Sequence, residues 1–176
     1  GIWSATTAAP YTVGFSYQNG GGNANLTGSP DYGARIVVVG DPGSGCSGDL
    51  YKQFNTSAFN GPAVGSVGLE SSPNVVKGCF QSVFDMSIAR TIRLGGGRTV
   101  QLRVDMFNLP NQAVVTNRNA TINLSNPNDP VTATNLPYDA SGNLVASRSL
   151  PKNGGFGVAT GFQSPRTLQA QVRFGF

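Results

Sequence analysis

The chain has 176 residues, only 11% of them charged, with 24 Gly, 11 Pro and no His. It is long enough to bury one core, but it lacks the Ala/Glu/Lys/Leu/Arg periodicity of a coiled coil or helical bundle. Without imidazole there is no Ser-His-Asp triad, Cys-His dyad or histidine metal site. The net charge of +4 comes from cations scattered between Arg35 and Arg173 rather than from a basic stripe, so nucleic acid is not an expected partner.

In chain order, Gly1–Trp3 reads as the stub of a strand and Ser4–Pro10 as a short turn. The chain opens without Met and without a charged leader, as a mature piece or fragment would. Strand signals of period two begin at Tyr11, Val13, Phe15 and Tyr17, which alternate with Thr12, Gly14 and Ser16. Arg35 to Val39 is apolar without alternation, and Asp49–Phe54 is the best short helical stretch. Cys46 and Cys79 each sit among Gly, Ser and Pro, where an exported protein keeps a loop-closing disulfide.

The remaining strands are longer. Phe84, Met86, Ile88 and Ile92 alternate with Asp85, Ser87 and Thr91. Val100, Leu102, Val104 and Met106 alternate with Gln101, Arg103 and Asp105. Leu168, Ala170, Val172, Phe174 and Phe176 alternate with Gln169, Gln171 and Arg173. Leu94-Gly95-Gly96-Gly97-Arg98 is a tight turn between the first two of these. By contrast, 18–81 and 108–166 are connections of about 60 residues each, rich in Asn, Gly, Pro, Ser and Thr. Compact soluble domains seldom carry irregular connections beyond about 15 residues. Short turns on one side and long loops on the other is the asymmetry of an outer-membrane β-barrel.

The parity agrees. With the Gly-rich turn in the periplasm, Phe84–Ile92 runs inward, Thr99–Phe107 outward and Leu168–Phe176 inward. Tyr11–Tyr17 then runs outward, and both long connections are extracellular. The turn also predicts a register, with Ile92 opposite Val100, Arg90 opposite Leu102, Ile88 opposite Val104 and Met86 opposite Met106. All but Arg90 are apolar and face lipid. Arg90 lies near the periplasmic rim, where its stem can snorkel. Asp85, Gln101, Arg103, Asp105 and Arg173 fall on the other face, toward a polar lumen. There Asp85 and Asp105 near Arg103 read as an ion-paired wall rather than a pair of glycosidase carboxylates. The fold expected is all-β: an antiparallel transmembrane β-barrel segment of about five strands with two long extracellular loops.

Specific stretches carry a family resemblance. Phe156-Gly157-Val158-Ala159-Thr160, Pro165-Arg166 and Leu168 to Phe176 resemble the last strand of TonB-dependent outer-membrane receptors. The likeness is nearest to the acidobacterial type that carries a carboxypeptidase-regulatory-like N-terminal domain. Asp85-Met86-Ser87-Ile88-Ala89-Arg90, Leu94 to Arg98 and Gln101 to Asn108 are similar to the penultimate hairpin of that family, and Phe54 to Phe59 to its preceding loop.

The resemblance implies that 1–176 is the C-terminal part of one barrel domain, not an enzyme and without a cofactor. The whole would be a receptor for a bulky nutrient, siderophore or oligosaccharide. Phe174 and Phe176 would act as the signal read by the barrel-assembly machinery. Such receptors have about 22 strands, a plug and a TonB-contacting segment, none of which is complete here. The implied partners are therefore the rest of the barrel (the missing N-terminal strands and plug, or other chains), the TonB system through that plug, outer-membrane lipid and the assembly machinery. The competing reading is a secreted or surface-attached β-rich adhesion or structural module.

Two further motifs read as loop, and a third as part of the membrane surface. Gly43-Ser44-Gly45-Cys46-Ser47-Gly48 fits GxGxxG, with Glu70 downstream, but no long helix follows. Asp139 to Asn143 begins like a calcium loop, but Leu150 stands where the bidentate Glu belongs, so a hairpin turn is expected. Tyr11, Phe15 and Tyr17 suit an aromatic girdle at the headgroups better than a sugar-stacking strip.

Overall fold

The computed structural model describes residues 1–18, 25–150 and 153–176. In chain order its strands are β1 (Ile2–Thr6), β2 (Pro10–Tyr11), β3 (Gly14–Tyr17), β4 (Val37–Val38), β5 (Phe59–Asn60), β6 (Val76–Lys77), β7 (Gln81–Gly95), β8 (Arg98–Phe107), β9 (Val115–Arg118), β10 (Thr121–Asn126), β11 (Asp129–Ala133), β12 (Ala159–Phe162) and β13 (Thr167–Gly175). Two single 3₁₀ turns, Thr56–Ala58 and Ala146–Arg148, are the helical elements among the described residues. The Asp49–Phe54 stretch forms turns and bends rather than helix. No described helix is long and apolar enough to cross a membrane, which says nothing about strands. The chain divides into two compact units.

The first unit comprises Gly1–Thr7, Phe80–Val114 and Gln163–Phe176. Its sheet has the order β1-β7-β8-β13, with every pair antiparallel. The β7–β8 register is the one the Gly-rich turn predicts, with Ile92 opposite Val100, Arg90 opposite Leu102, Ile88 opposite Val104 and Met86 opposite Met106. A two-residue hairpin of this hand needs positive φ at both central positions. Gly96 and Gly97 supply it with φ of 61° and 79°. At ten and nine residues, β8 and β13 have the 9–11 residue length of a tilted membrane-crossing strand. One face carries Ile88, Ile92, Leu102, Val104, Leu168 and Val172, all exposed. A row that apolar, facing no protein among the described residues, needs lipid to cover it.

Two expectations change in this unit. The stub at Gly1–Trp3 is a full edge strand: Ser4, Ala5 and Thr6, expected in a turn, pair with Val83, Ser82 and Gln81. The Tyr11–Tyr17 segment is not in this sheet, so four strands rather than about five belong to it. The sheet is open, with β1 and β13 as its edges.

The second unit joins Ala8–Cys79 with Val115–Phe162. The two long connections are therefore not irregular loops. They fold together around one core that includes Val13, Tyr17, Ile36, Phe54, Phe59, Val76, Ile122, Leu124 and Phe156. β10 is its central strand, pairing with β11 on one side and in parallel with β3 on the other. Alternation along β10 sends Ile122 and Leu124 inward. The small ribbons β9–β12, β2–β6 and β4–β5 surround it.

The strand expected at Tyr11–Tyr17 thus serves this core instead of the membrane. Val13 and Tyr17 are buried, and the Tyr17 hydroxyl donates to the Pro62 carbonyl at 2.6 Å. That ring passes so close to Gly61 that any Cβ there would collide with it. The lipid-girdle reading of Tyr11, Phe15 and Tyr17 is corrected accordingly. The apolar run at Arg35–Val39 yields only β4, with Ile36 in the core.

Candidate functional site

The five polar residues read as lumen-facing lie on one face of the sheet. Gln101 sits between Thr91 and Arg173, Arg103 between Ala89 and Gln171, and Asp105 between Ser87 and Gln169. Arg103 donates through Nε and Nη2 to Asp105 Oδ1, each at 2.9 Å. Asp85 does not join this pair. Its Oδ1 accepts the Asn108 backbone N–H at 2.9 Å, so the expected three-residue wall is one ion pair plus a separate structural carboxylate.

Asn108 explains the division. It is buried, with a φ of 48°, where Asn is among the few side chains tolerated. Its amide donates to the carbonyls of Gln112 at 3.1 Å and Ser164 at 2.8 Å. The residue thereby ties the end of β8 to the start of β7 and to the approach to β13. At the other end of the sheet Phe174 is exposed on the apolar face opposite Val100, and Phe176 lies beyond the last paired residue, 99% exposed.

In the second unit Cys46 and Cys79 are disulfide-bonded, with Cα atoms 5.2 Å apart and a sequence separation of 33. Arg118 lies beside the bridge and over the Tyr11 ring, 4.9 Å from its centroid. Burial pushes the Tyr11 hydroxyl up to about 12, against the opposing pull of the Arg118 charge. The Tyr11 hydroxyl therefore stays a neutral phenol beside Arg118. Replacing both cysteines by Ser should lower the stability of this unit by roughly 2–4 kcal/mol, the usual worth of a bridge closing such a loop. Intact mass before and after reduction checks the bond, and thermal unfolding with and without reductant checks its effect. Equal melting in both would show that the bridge adds nothing.

A cleft of about 700 Å³ opens in the same unit. Three segments far apart in sequence line it: Thr12–Phe15, the stretch from Asn25 to Ile36, and Ser71–Pro73. Tyr32 stands half exposed at 51%, and Phe15 is half-buried. Asp31 and Arg35 are the only charged lining residues, and neither enters an ion pair among the described residues. Arg35 Nη1 donates to the Ser71 carbonyl at 3.1 Å, and the guanidinium has no further acceptor among the described residues.

Glu70 makes no ion pair with the Arg35 side chain among the described residues; its carboxylate accepts from Ser66 Oγ and from the Arg35 backbone N–H. Burial raises the Glu70 carboxyl, but the hydrogen bonds from Ser66 and from the backbone of Glu70, Arg35 and Gly68 outweigh it and hold it below its ordinary value. A second cleft, of about 400 Å³, is lined by amides and Arg148. Asn119, Asn135 and Arg148 spend donors there on the carbonyls of Gly154, Thr121 and Leu136, which makes it a structural seam.

The tempting motifs resolve as loop. Gly43 and Gly45 have φ of 76° and 69°, and no helix follows Gly48 to receive a phosphate. Asp139 Oδ1 accepts the N–H groups of Ser141 and Asn143, closing a turn whose flanks bridge at Tyr138 and Leu144. No group of three metal-ligating side chains occurs among the described residues. No sequence motif marks Asp31, Tyr32 and Arg35 as a site: Pro30 to Gly33 is a turn signal, and nothing in it announces that residues 12–15 and 71–73 come alongside.

A family model described as an outer membrane beta barrel domain matches residues 1–169. No curated protein and no solved structure was found to match the chain. A match over almost the whole length agrees with the four-stranded antiparallel sheet, its bare apolar face and its membrane-length strands. The chain belongs to the outer membrane beta barrel domain family, and its place is the bacterial outer membrane.

Proposed function

We propose that this chain is the C-terminal portion of a TonB-dependent receptor that imports a bulky nutrient, a siderophore or an oligosaccharide. The observation that carries the reading is where the long insertions leave the sheet. β1 and β8 run toward one end, β7 and β13 run back from it, and both insertions depart there, after Thr6 and after Phe107. The opposite end holds the two-residue turn at Gly96–Gly97. Long outer loops and short periplasmic turns are the rule for such barrels, so the folded insertion unit lies on the cell surface and meets ligand first.

Four strands cannot close a barrel, which takes about eight or more, so further strands from the rest of the receptor or from other chains complete the wall. The chain itself performs no covalent chemistry. Energy reaches the receptor from the inner membrane through TonB and the plug. The test compares uptake of a ferric siderophore panel and of labelled oligosaccharides by cells expressing the full-length protein, with and without TonB. Import confined to cells with TonB is expected; import that continues without it overturns the reading.

Phe176 offers a check on assembly. Its ring is 99% exposed in the chain, so losing it removes no protein packing and alone predicts a mild loss. On the receptor reading, Phe176 is also part of the signal read by the assembly machinery. Its deletion should therefore cut surface-exposed protein severely and raise periplasmic degradation, as read by surface labelling. Normal surface levels in the truncated protein would remove Phe176 from that role.

A further inference from the structure

We infer that the cleft formed by Asp31, Tyr32 and Arg35 in the insertion unit is a binding subsite for a neutral oligosaccharide. This deepens the receptor reading by choosing between its two nutrient classes. The volume of about 700 Å³ lies within the roughly 300–1,000 Å³ of small-ligand sites. Its equipment is specific. Tyr32 presents an aromatic ring at 51% exposure, with Phe15 half-buried in the same wall. An aromatic face suits the C–H face of a pyranose, which is apolar although the ring's edge is covered in hydroxyls.

The polar groups complete the match. Among the described residues Asp31 and Arg35 are the only charges in the lining, one of each sign, so that lining has no net charge. Neither is neutralised by an ion pair among the described residues, Glu70 included. An anionic ligand would meet Asp31 and a cationic one Arg35. A neutral polyol uses both: the carboxylate accepts from O–H groups and the guanidinium donates to oxygen. Hydrogen bonds with an ionised partner are roughly twice as strong as neutral ones. Ser71 and Ser72 add hydroxyl-bearing side chains to the lining.

The experiment measures binding of the purified full-length protein in detergent to an array of neutral oligosaccharides, with ferric siderophores and short peptides on the same array. Binding to at least one neutral oligosaccharide is expected, weakened about tenfold or more by Tyr32→Ala and by Asp31→Asn. Tyr32→Phe should keep affinity within about threefold, because the ring face remains. Leu144→Ala, outside the cleft, should change nothing. Both tested side chains are exposed, so the variants should fold, and a melting curve unchanged from the parent confirms it. No glycan bound, a siderophore or peptide bound instead, or glycan binding that ignores Tyr32→Ala would each overturn the inference. Binding in detergent needs no TonB, so a glycan that binds here but is imported without TonB would sink the transport reading and leave the subsite intact.

Discussion

Replacing Phe156 with Ala is expected to destabilise the insertion unit by roughly 3–5 kcal/mol, the cost of truncating a buried aromatic ring. Phe156 is fully buried. Its ring meets Phe54 at 5.1 Å and Phe59 at 5.8 Å, both edge-to-face, and those two meet each other at 5.9 Å. Such triads add to the area term because positive ring edges point at negative faces. Phe54 and Phe59 come from the first insertion and Phe156 from the second, so the triad is where two separate chain segments become one body. Phe156→Leu should lose much less, because volume is partly kept. The readout is protease digestion of intact cells. The Ala variant should be cut within the insertions at lower temperature than the parent, while the membrane sheet stays protected. Equal resistance in both proteins would mean that the insertions do not share a core.

Leu102→Arg and Val104→Arg should each impair membrane assembly, at a cost of roughly 2–4 kcal/mol near the bilayer midplane. Both lie on the apolar face, opposite Arg90 and Ile88 on one side and Val172 and Ala170 on the other. Gln101→Arg, one position away on the polar face beside Arg173 and Thr91, should assemble much better. The contrast isolates sidedness, since all three changes add the same charge to the same strand. It is read as the fraction of protein in the outer membrane that keeps heat-modifiable mobility. Equal loss at the three positions would show protein packed on both faces and would count against lipid on either.

How far the sequence carries the fold depends on how local the deciding interaction is. The β7–β8 hairpin was legible to the residue. A Gly-rich turn sets the register, and period-two alternation then assigns every side chain to a face. β13 was legible for the same reason, because its alternation runs unbroken through Leu168 to Phe174. The disulfide was legible from two cysteines set among loop residues. The same alternation misassigned Tyr11–Tyr17. Period two states only that one face is apolar; lipid and a protein core satisfy it equally. Val13 and Tyr17 found their cover in Leu26, Ile122 and Leu124, residues the chain supplies before and after the whole membrane hairpin.

The folded insertion unit was beyond local pattern altogether. Its strands are mostly two to six residues long, too short to show a period, and its central pairing of β3 with β10 joins residues more than a hundred positions apart. The candidate cleft has the same origin, since Tyr32 and Arg35 acquire their neighbours Phe15 and Ser71 only through that packing. By itself, then, the amino-acid order determined the membrane hairpin, its faces, the last strand and the cysteine pair, because turn chemistry and alternation act over a few residues. Tertiary structure alone decided that β1 runs on through Thr6 as an edge strand, that Asp85 serves Asn108 rather than Arg103, and that two long insertions condense into one body with a cleft. Each of those outcomes rests on apolar burial or a hydrogen bond between segments whose meeting no local signal encodes.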